Sequence, residues 1–387
     1  MTSENKLEKL EELFSYLTRE KMFNGCVLVS ENGSPMYEYV NGVAAIDQSK
    51  QLTKDSRFDI ASVSKSFTAM AIMILKEQQK ISFEDVLEKH LSNLPYQGIT
   101  IRNLLTHTSG LPDYIDWFEE KWDRKKIATN KEVLELFLKE HQPSLLFEPG
   151  DKWEYSNTGY ILLAEVIKEV SGLTFEEFLE SNIFGPLEMH HTQLLSRRIN
   201  KDSLELAEGY IYDRENDDYK IPDHMDEHRY VYFIDGVRGD GAINTTAKDL
   251  YKWEQAIYAN VLIKENTKNE AFKPAVLTNG ESLGYSVGLH PDVEAGYGFG
   301  WSIENSSQTG KILSHGGYCA GFHSFLIRYV ETNRSIIYLS NVDYLDFYDN
   351  KIHHDIVLQI ENILFDKEVK LPSFPVSNNI SSEIKTS

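Results

Sequence analysis

Strand-like segments lie at the two ends of this chain and are scarce between them. Cys26 to Ser30 and Met36 to Val40 are joined by Glu31-Asn32-Gly33-Ser34-Pro35, which carries an Asn-Gly hairpin signal. Strand character returns at Tyr297 to Ile303, Lys311 to Ser314, Phe322 to Val330 and, after a turn at Asn333, Ser335 to Ser340. From Ile81 to Leu195 the pattern is mostly helical, punctuated at Gly110-Leu111-Pro112, Glu148-Pro149-Gly150 and Gly185-Pro186. This layout predicts an α/β (α+β) fold, with an antiparallel sheet flanked by helices and built from both chain ends, plus a largely helical middle domain. The expected division is 1–80 with 291–370 as the α/β sandwich, 81–290 as a mainly helical domain with irregular loops from Ser196 to Gly296, and 371–387 as a mobile tail. Such an arrangement leaves a cleft between the two parts, where pockets commonly form.

Three helices stand out. Leu7, Leu10, Leu13, Phe14 and Leu17 follow helical spacing near the N-terminus. Gly159 to Ser171 (GYILLAEVIKEVS) is a strong helix ended by Gly172, and Tyr344 to Phe365 reads as a closing helix. The first segment has neither the apolar stretch nor the small-residue cleavage site of a secretory signal, and no run approaches the ~18 apolar residues that span a bilayer. A cytoplasmic protein is expected. The 60 acidic against 39 basic residues, net −21, argue against nucleic acid and anionic membranes as partners. Oligomeric state is unreadable. Two cysteines, Cys26 and Cys319, are too few for a disulfide framework; Cys26 reads as a small core residue and Cys319 as a bystander near a candidate site. The His190/His191 and His353/His354 pairs have no metal-ligand spacing, and no phosphate or dinucleotide loop is present, so no metal and no cofactor are expected.

Chemistry enters at Ser62-Val63-Ser64-Lys65, which opens the apolar stretch Phe67 to Leu75 (FTAMAIMIL). Ser-x-x-Lys on a helix sets hydroxyl and amine one turn apart on one face, and a helix N-terminus favours developing negative charge. A serine so placed can be an acylated nucleophile. The alternative is an N-cap serine with a solvated lysine. Ser3/Lys6 and Ser382/Lys385 match the spacing too, but in polar surroundings.

Two later elements join it: Tyr155-Ser156-Asn157 after Phe147-Glu148-Pro149-Gly150, and His315-Gly316-Gly317 after Lys311 to Ser314. With these the chain resembles the serine β-lactamase and penicillin-binding-protein superfamily. Within it, the likeness is to the class C-like branch of β-lactamases, esterases, D-aminopeptidases and carboxypeptidases, which carries Ser-x-x-Lys, Tyr-x-Asn and a Lys/His-x-Gly element in this order. Ile101 to Tyr114 (IRNLLTHTSGLPDY), Gly239 to Trp253 (GDGAINTTAKDLYKW) and Tyr297 to Trp301 (YGFGW) resemble it as well.

The resemblance implies the β-lactamase/transpeptidase-like fold and roles for particular residues. Ser62 is the expected nucleophile, Lys65 its proton acceptor and Tyr155 a second proton carrier; Asn157 holds the substrate or Lys65. Ser62 and Tyr318 supply the two backbone N–H groups of an oxyanion hole, and Gly316 and Gly317 let the strand edge approach the substrate. His107 is a structural landmark. Each has a plainer alternative: a buried tyrosine, a helix cap at Asn157, a strand-end histidine without a role. Other Tyr-x-Asn matches occur at Tyr39, Tyr258 and Tyr348.

The departure is at His315, where relatives usually carry Lys-Thr-Gly or Lys-Ser-Gly. A fixed cation and a hydroxyl that hold a substrate carboxylate are replaced. His315 is expected to hydrogen-bond Tyr155 or a leaving group and to become charged toward pH 6; Arg238, or another base outside the motifs, is a candidate substitute anchor. The implied function is a serine hydrolase of small esters or amides, with a small-molecule ester, amide or peptide as partner. The alternatives are a D-Ala-type carboxypeptidase, D-aminopeptidase, penicillin-binding protein or weak β-lactamase, and beyond these a non-catalytic scaffold of the same fold.

Overall fold

The computed structural model describes residues 2–47, 49–198, 205–282, 290, 293, 295–344 and 351–374. Most of the expected tail, with Ser382 and Lys385, and the Tyr348/Asn350 pair lie outside these residues.

The main sheet takes strands from both chain ends. They are β1 (Gly25–Glu31), β2 (Ser34–Asn41), β3 (Ala295–Tyr297), β4 (Ser302–Ser306), β5 (Gly310–Cys319), β6 (Phe322–Tyr329) and β7 (Arg334–Ser340). Their order is β3-β4-β5-β6-β7-β1-β2, antiparallel throughout. The β1–β2 turn uses Asn32 and Gly33, both in the left-handed region at φ 55° and 69°, whose twist matches a two-residue hairpin. β1 and β7 are rich in Val and Ile and pair in register, Val27 with Tyr338 and Leu28 with Ile337. Alternation then sends successive residues to opposite faces, and both are buried.

Five helices brace this sheet or build the cleft beside it: α1 (Ser3–Arg19), α2 (Lys65–Glu77), α3 (Asn157–Ser171), α4 (Ala247–Tyr258) and α5 (Lys351–Leu364). Leu10, Leu13, Phe14 and Leu17 of α1 and Ile356, Val357 and Ile360 of α5 cover one sheet face through Val27, Val29, Ile336 and Tyr338. Leu28, Ile337 and Leu339 face the other way, onto a core shared by α2, α4 and the helical region. α2 is buried at every position from Lys65 to Leu75, because it runs between the sheet and the helical region; Phe67 stacks on Trp253 of α4 at 4.0 Å. α3 packs against α2 and ends at Gly172, φ 74°, in a left-handed cap.

Four local expectations need correction. Tyr297 to Ile303 is a hairpin instead of one strand: β3 ends at Tyr297, and Gly300 (φ 76°) lies so near α2 that a Cβ there would sit 2.9 Å from the Lys65 carbonyl oxygen. β5 does not stop at Ser314 but runs through His315-Gly316-Gly317 to Cys319; the glycine pair marks a close backbone approach, not a strand end. The segment from Ser196 onward is less irregular than its composition suggests. Tyr210–Asp213 pairs with Val342–Tyr344, Ile243–Thr245 pairs with Phe58–Asp59, and α4 packs on β1 and β7. Strands of three or four residues are too short to show periodicity. Tyr344 therefore closes a strand, and α5 begins at Lys351.

Candidate active site

Ser62 sits in a single 3-10 turn, Ala61–Ser64, between the strand Phe58–Asp59 and α2. It precedes the α-helix proper, which starts at Lys65. Ala61 is held at φ 44°, a conformation costly for a residue with a side chain. The surroundings enforce it: Asp59 Oδ1 accepts the Ala61 N–H at 2.8 Å, Ile60 N–H donates to Ile243 O at 3.0 Å, and Val63 N–H donates to Ile60 O at 3.1 Å. The bent turn aims Ser62 at the cleft.

Lys65 is fully buried, and three acceptors surround its Nζ: Ser62 Oγ at 3.1 Å, Asn157 Oδ1 at 2.7 Å and the Asp240 carbonyl oxygen at 2.7 Å. Two of these can only accept. Two N–H groups are thus always committed to Asn157 and Asp240, while the third position faces a hydroxyl that can give or take a proton. The solvated lysine of the plainer alternative is excluded by this burial.

Asn157 is the first residue of α3. Its amide orientation is set by Asp113, which the motifs did not flag. Asp113 Oδ2 accepts from both the backbone N and the side-chain Nδ2 of Asn157, each at 2.8 Å, leaving Oδ1 to face Lys65. Asp113 itself caps the helix Tyr114–Lys121 through Ile115 N–H at 3.0 Å. Burial pushes the carboxyls of both Asp113 and Asp240 above their ordinary range, opposed by these hydrogen bonds and by the Lys65 charge.

Tyr155 lies half-buried in the irregular lead-in to α3, its ring centroid 5.0 Å from Lys65 Nζ. The buried His107 fixes it from both sides along the chain: Glu154 N–H donates to the His107 carbonyl at 3.0 Å, Ser156 N–H donates to His107 Nδ1 at 3.2 Å, and the two rings lie 4.3 Å apart. His107 adopts φ 58° to do so, and burial holds it neutral.

The third element is carried by β5. Up to Ser314 this strand is flanked by β4 and β6; from His315 to Cys319 it pairs only with β6, so its other edge is open toward the Ser62 turn. Val330 N–H donates to Lys311 O, which identifies that pair as hydrogen-bonded. Antiparallel pairs alternate, so the backbone of Tyr318 points to the open edge. Gly317 makes the approach possible, since a Cβ on it would lie 2.1 Å from the Ile60 oxygen and 3.3 Å from Ser62 N. Gly316 is different: a Cβ there would meet nothing closer than the Phe325 ring at 3.6 Å. Only the second glycine is required by contact.

His315 departs from expectation. It does not reach Tyr155: Nδ1–H donates to the Gly316 carbonyl at 2.6 Å, which leaves Nε2 to accept from the Tyr297 hydroxyl at 2.9 Å. Burial, with the nearby Lys65 charge, lowers its pKa to about 3. The expected charging near pH 6 is therefore overturned. Arg238, the candidate replacement anchor, does not line the cavity beside Ser62, and its Nη1 donates to the carbonyls of Asp235 and Val237, both at 2.9 Å. A cavity of about 110 Å³ opens beside Ser62, and the arginine on its wall is Arg197, with Asn157, Asp240, Tyr230, Tyr318 and Cys319 among its neighbours there. Both cysteines are free, and burial raises both thiol pKa values.

Among the described residues one cluster has metal-ligand chemistry: His323, Asp343 and His353, with ligand atoms within 4.8 Å of one another. The two imidazoles are stacked at 4.0 Å and 20°, so their in-plane lone pairs lie in near-parallel planes and do not converge.

Comparison with known proteins places this geometry among relatives. A match to the Beta-lactamase family spans residues 10–359. Penicillin-binding protein 4* of Bacillus subtilis (strain 168) is 38% identical over 373 residues, covering 96% of this chain and 79% of that protein. The crystal structure of a penicillin-binding protein from Bacillus halodurans superposes with a TM-score of 0.73 at 27% identity, covering 90% of this chain and 98% of that one. A D-amino acid amidase from Ochrobactrum anthropi SV3, solved with L-phenylalanine amide, shares the fold with a TM-score of 0.72 at 22% identity, covering 94% and 99%. No helix among the described residues is long and apolar enough to cross a membrane.

The unequal surroundings of the two glycines predict unequal variants. Gly317→Ala should lower kcat/KM for an ester by at least ~10²-fold, the scale of losing one oxyanion donor, whereas Gly316→Ala should stay within a few-fold of wild type; equal losses in the two variants would contradict the contact geometry. His315 resists protonation in the folded state while the unfolded chain takes a proton near pH 6.5, so stability falls as pH drops from about 6.5 toward 3. At pH 4.5 this amounts to at most about 2–3 kcal/mol from His315, at ~1.36 kcal/mol per unit. Urea unfolding of wild type and His315→Gln at pH 7 and 4.5 checks it: the wild-type loss should be the larger.

Proposed function

The chain belongs to the Beta-lactamase family and is a hydrolase of the serine β-lactamase and penicillin-binding-protein type; from that premise we propose that it hydrolyses small esters and amides through an acyl-Ser62 intermediate. The observation that carries this reading is the buried Lys65 amine 3.1 Å from Ser62 Oγ, with its other two contacts occupied by Asn157 and Asp240. With two N–H groups spent on those acceptors, the third position of the amine faces the serine hydroxyl, the line along which a proton passes between Oγ and Nζ.

The steps are those of nucleophilic catalysis. The substrate carbonyl oxygen accepts from the backbone N–H groups of Ser62 and Tyr318. Ser62 Oγ bonds to the carbonyl carbon as its proton passes to Lys65 Nζ. Tyr155, whose ring lies against that amine, relays a proton to the leaving group as the bond from carbon to oxygen or nitrogen breaks. Water then attacks the acyl-enzyme, and the same groups return its proton to Ser62. Each oxyanion donor is worth ~3–4 kcal/mol in such chemistry.

The missing cation on β5 shapes the preference. His315 is buried and neutral, so this side of the site offers no fixed positive charge to a β-lactam carboxylate. Short esters are favoured over penicillins. Amides and peptides are the second reading on the same machinery, supported by relatives named for penicillin binding and D-amino acid amide hydrolysis.

The test uses purified variants. Ser62→Ala should abolish release of nitrophenol from a nitrophenyl ester with the fold intact by circular dichroism; wild-type activity in that variant refutes the assignment. Lys65→Ala and Tyr155→Phe should each cost ~10²–10⁴ in kcat, and the double variant far less than the product, because the two act as one proton-transfer unit. In the same assay, a kcat/KM for nitrocefin above that for the ester would overturn the preference.

A further inference from the structure

The cavity beside Ser62 is lined by Asn157 and Tyr318 but not by Tyr155 or His315. If Tyr155 protonates the leaving group, that group departs on the other side of the nucleophile, and the cavity receives the acyl half of the substrate. Its chemistry therefore bears on what acid is transferred to Ser62.

Arg197 is the charged donor in that wall, and its hydrogen-bonding capacity is only partly used. Its side chain is 14% exposed, and its guanidinium carbon lies 4.3 Å over the Phe322 ring. Nε is buried without a hydrogen-bond partner, and the nearest carboxylate contact, Nη2 to Asp59 Oδ2, is 3.4 Å. A guanidinium over an aromatic face can still offer its edge for bidentate recognition of a carboxylate.

Three aspartates share the wall, and each accepts at least one hydrogen bond from the protein. Asp59 Oδ1 accepts Ala61 N–H at 2.8 Å; Asp235 accepts the Ser196 hydroxyl, the Arg198 backbone N–H at 3.1 Å and Arg198 Nη1 at 3.0 Å; Asp240 accepts the Tyr114 hydroxyl at 3.1 Å. Burial also pushes Asp240 toward its neutral form. Each acid is held by donors of the protein, whereas Arg197 makes one long ion pair, to Asp59, and leaves Nε without a partner.

We infer that Arg197 is a specificity-determining residue that selects acyl groups carrying a carboxylate, so that the preferred substrates are esters or amides whose acyl half is anionic and whose leaving group is not. This rests on the acyl-Ser62 reading and narrows it. Neither Ser-x-x-Lys nor the Tyr-x-Asn element points to Arg197, which lies in a loop with no motif around it.

Matched substrates test it. Mono-4-nitrophenyl esters of dicarboxylic acids from glutaric to suberic acid are compared with the same esters in which the free carboxylate is a carboxamide, so that each pair differs in charge and not in shape. Wild type should prefer the carboxylate member at one or more chain lengths by ten- to a hundred-fold in kcat/KM, and Arg197→Gln should bring that ratio to near one. The ratio within each protein corrects for any general loss of activity, and a thermal melt of the variant reports whether it folds. Arg197→Lys should recover part of the preference, since charge is kept but the fork is lost. Wild type cleaving both members of every pair with a ratio of one or less, or a preference that survives in Arg197→Gln, overturns the role of Arg197 while leaving the hydrolase reading standing. Wild type cleaving no ester or amide at all, with Ser62 unlabelled by a fluorophosphonate, overturns both.

Discussion

An amine buried without acceptors would be desolvated at a cost of several kcal/mol, and the architecture around Lys65 is arranged so that this does not happen. Ser62 and Lys65 come from the turn that opens α2, Asn157 from the start of α3, and the Asp240 carbonyl from the segment leading to α4. Each of these pieces is held by contacts of its own. Thr68 donates its hydroxyl to Gly239 O, which fixes the residue beside Asp240, and Asp113 turns Asn157 so that its oxygen, not its nitrogen, meets the amine. Pieces from the sheet side and from the helical region thus meet at this buried amine.

Electrostatics on the two sides of Ser62 are unlike. Toward β5 the groups are neutral: His315 is tied to Tyr297 and to Gly316, and His107 is packed among Trp153, Tyr155, Tyr160 and Tyr297. Toward the cavity lies the guanidinium of Arg197 among occupied carboxylates. A neutral tautomer fixed by two hydrogen bonds is a donor and an acceptor of constant direction, which suits a structural support better than a proton shuttle.

The overall plan was legible because its signals are long or ordered. α1 and α3 repeat apolar residues over several turns, β1 and β7 are dense in β-branched residues, and the Ser62, Tyr155 and His315 elements occur in a fixed order along the chain. What composition hid is short or relational. Strands such as Ile243–Thr245 have too few residues for a period, and the segment from Ser196 onward looked irregular for that reason. Asp113 reads as an ordinary helix cap, and its second bond to Asn157 exists only once α3 is in place. The neutrality of His315 comes from burial that no neighbouring residue in the sequence announces. Gly316 and Gly317 are alike on paper, and only the position of the Ile60 carbonyl separates them.

Because β1 pairs with β7, the sheet closes across most of the chain; Asn24 Nδ2 donates to Asn341 Oδ1 over a separation of 317 positions. During synthesis at ~5–20 residues per second, the first hairpin waits roughly 15 to 60 seconds for its partner to be made. For that interval Val27, Leu28 and Val29 have one strand neighbour and an unpaired edge, the condition under which strands aggregate. Contacts this distant in sequence also slow folding itself, since loop closure must precede their reward. The order of the strands thus makes the nascent chain dependent on shelter of its first hairpin, and it delays the meeting of the Ser62 turn with β5 until nearly the whole protein exists.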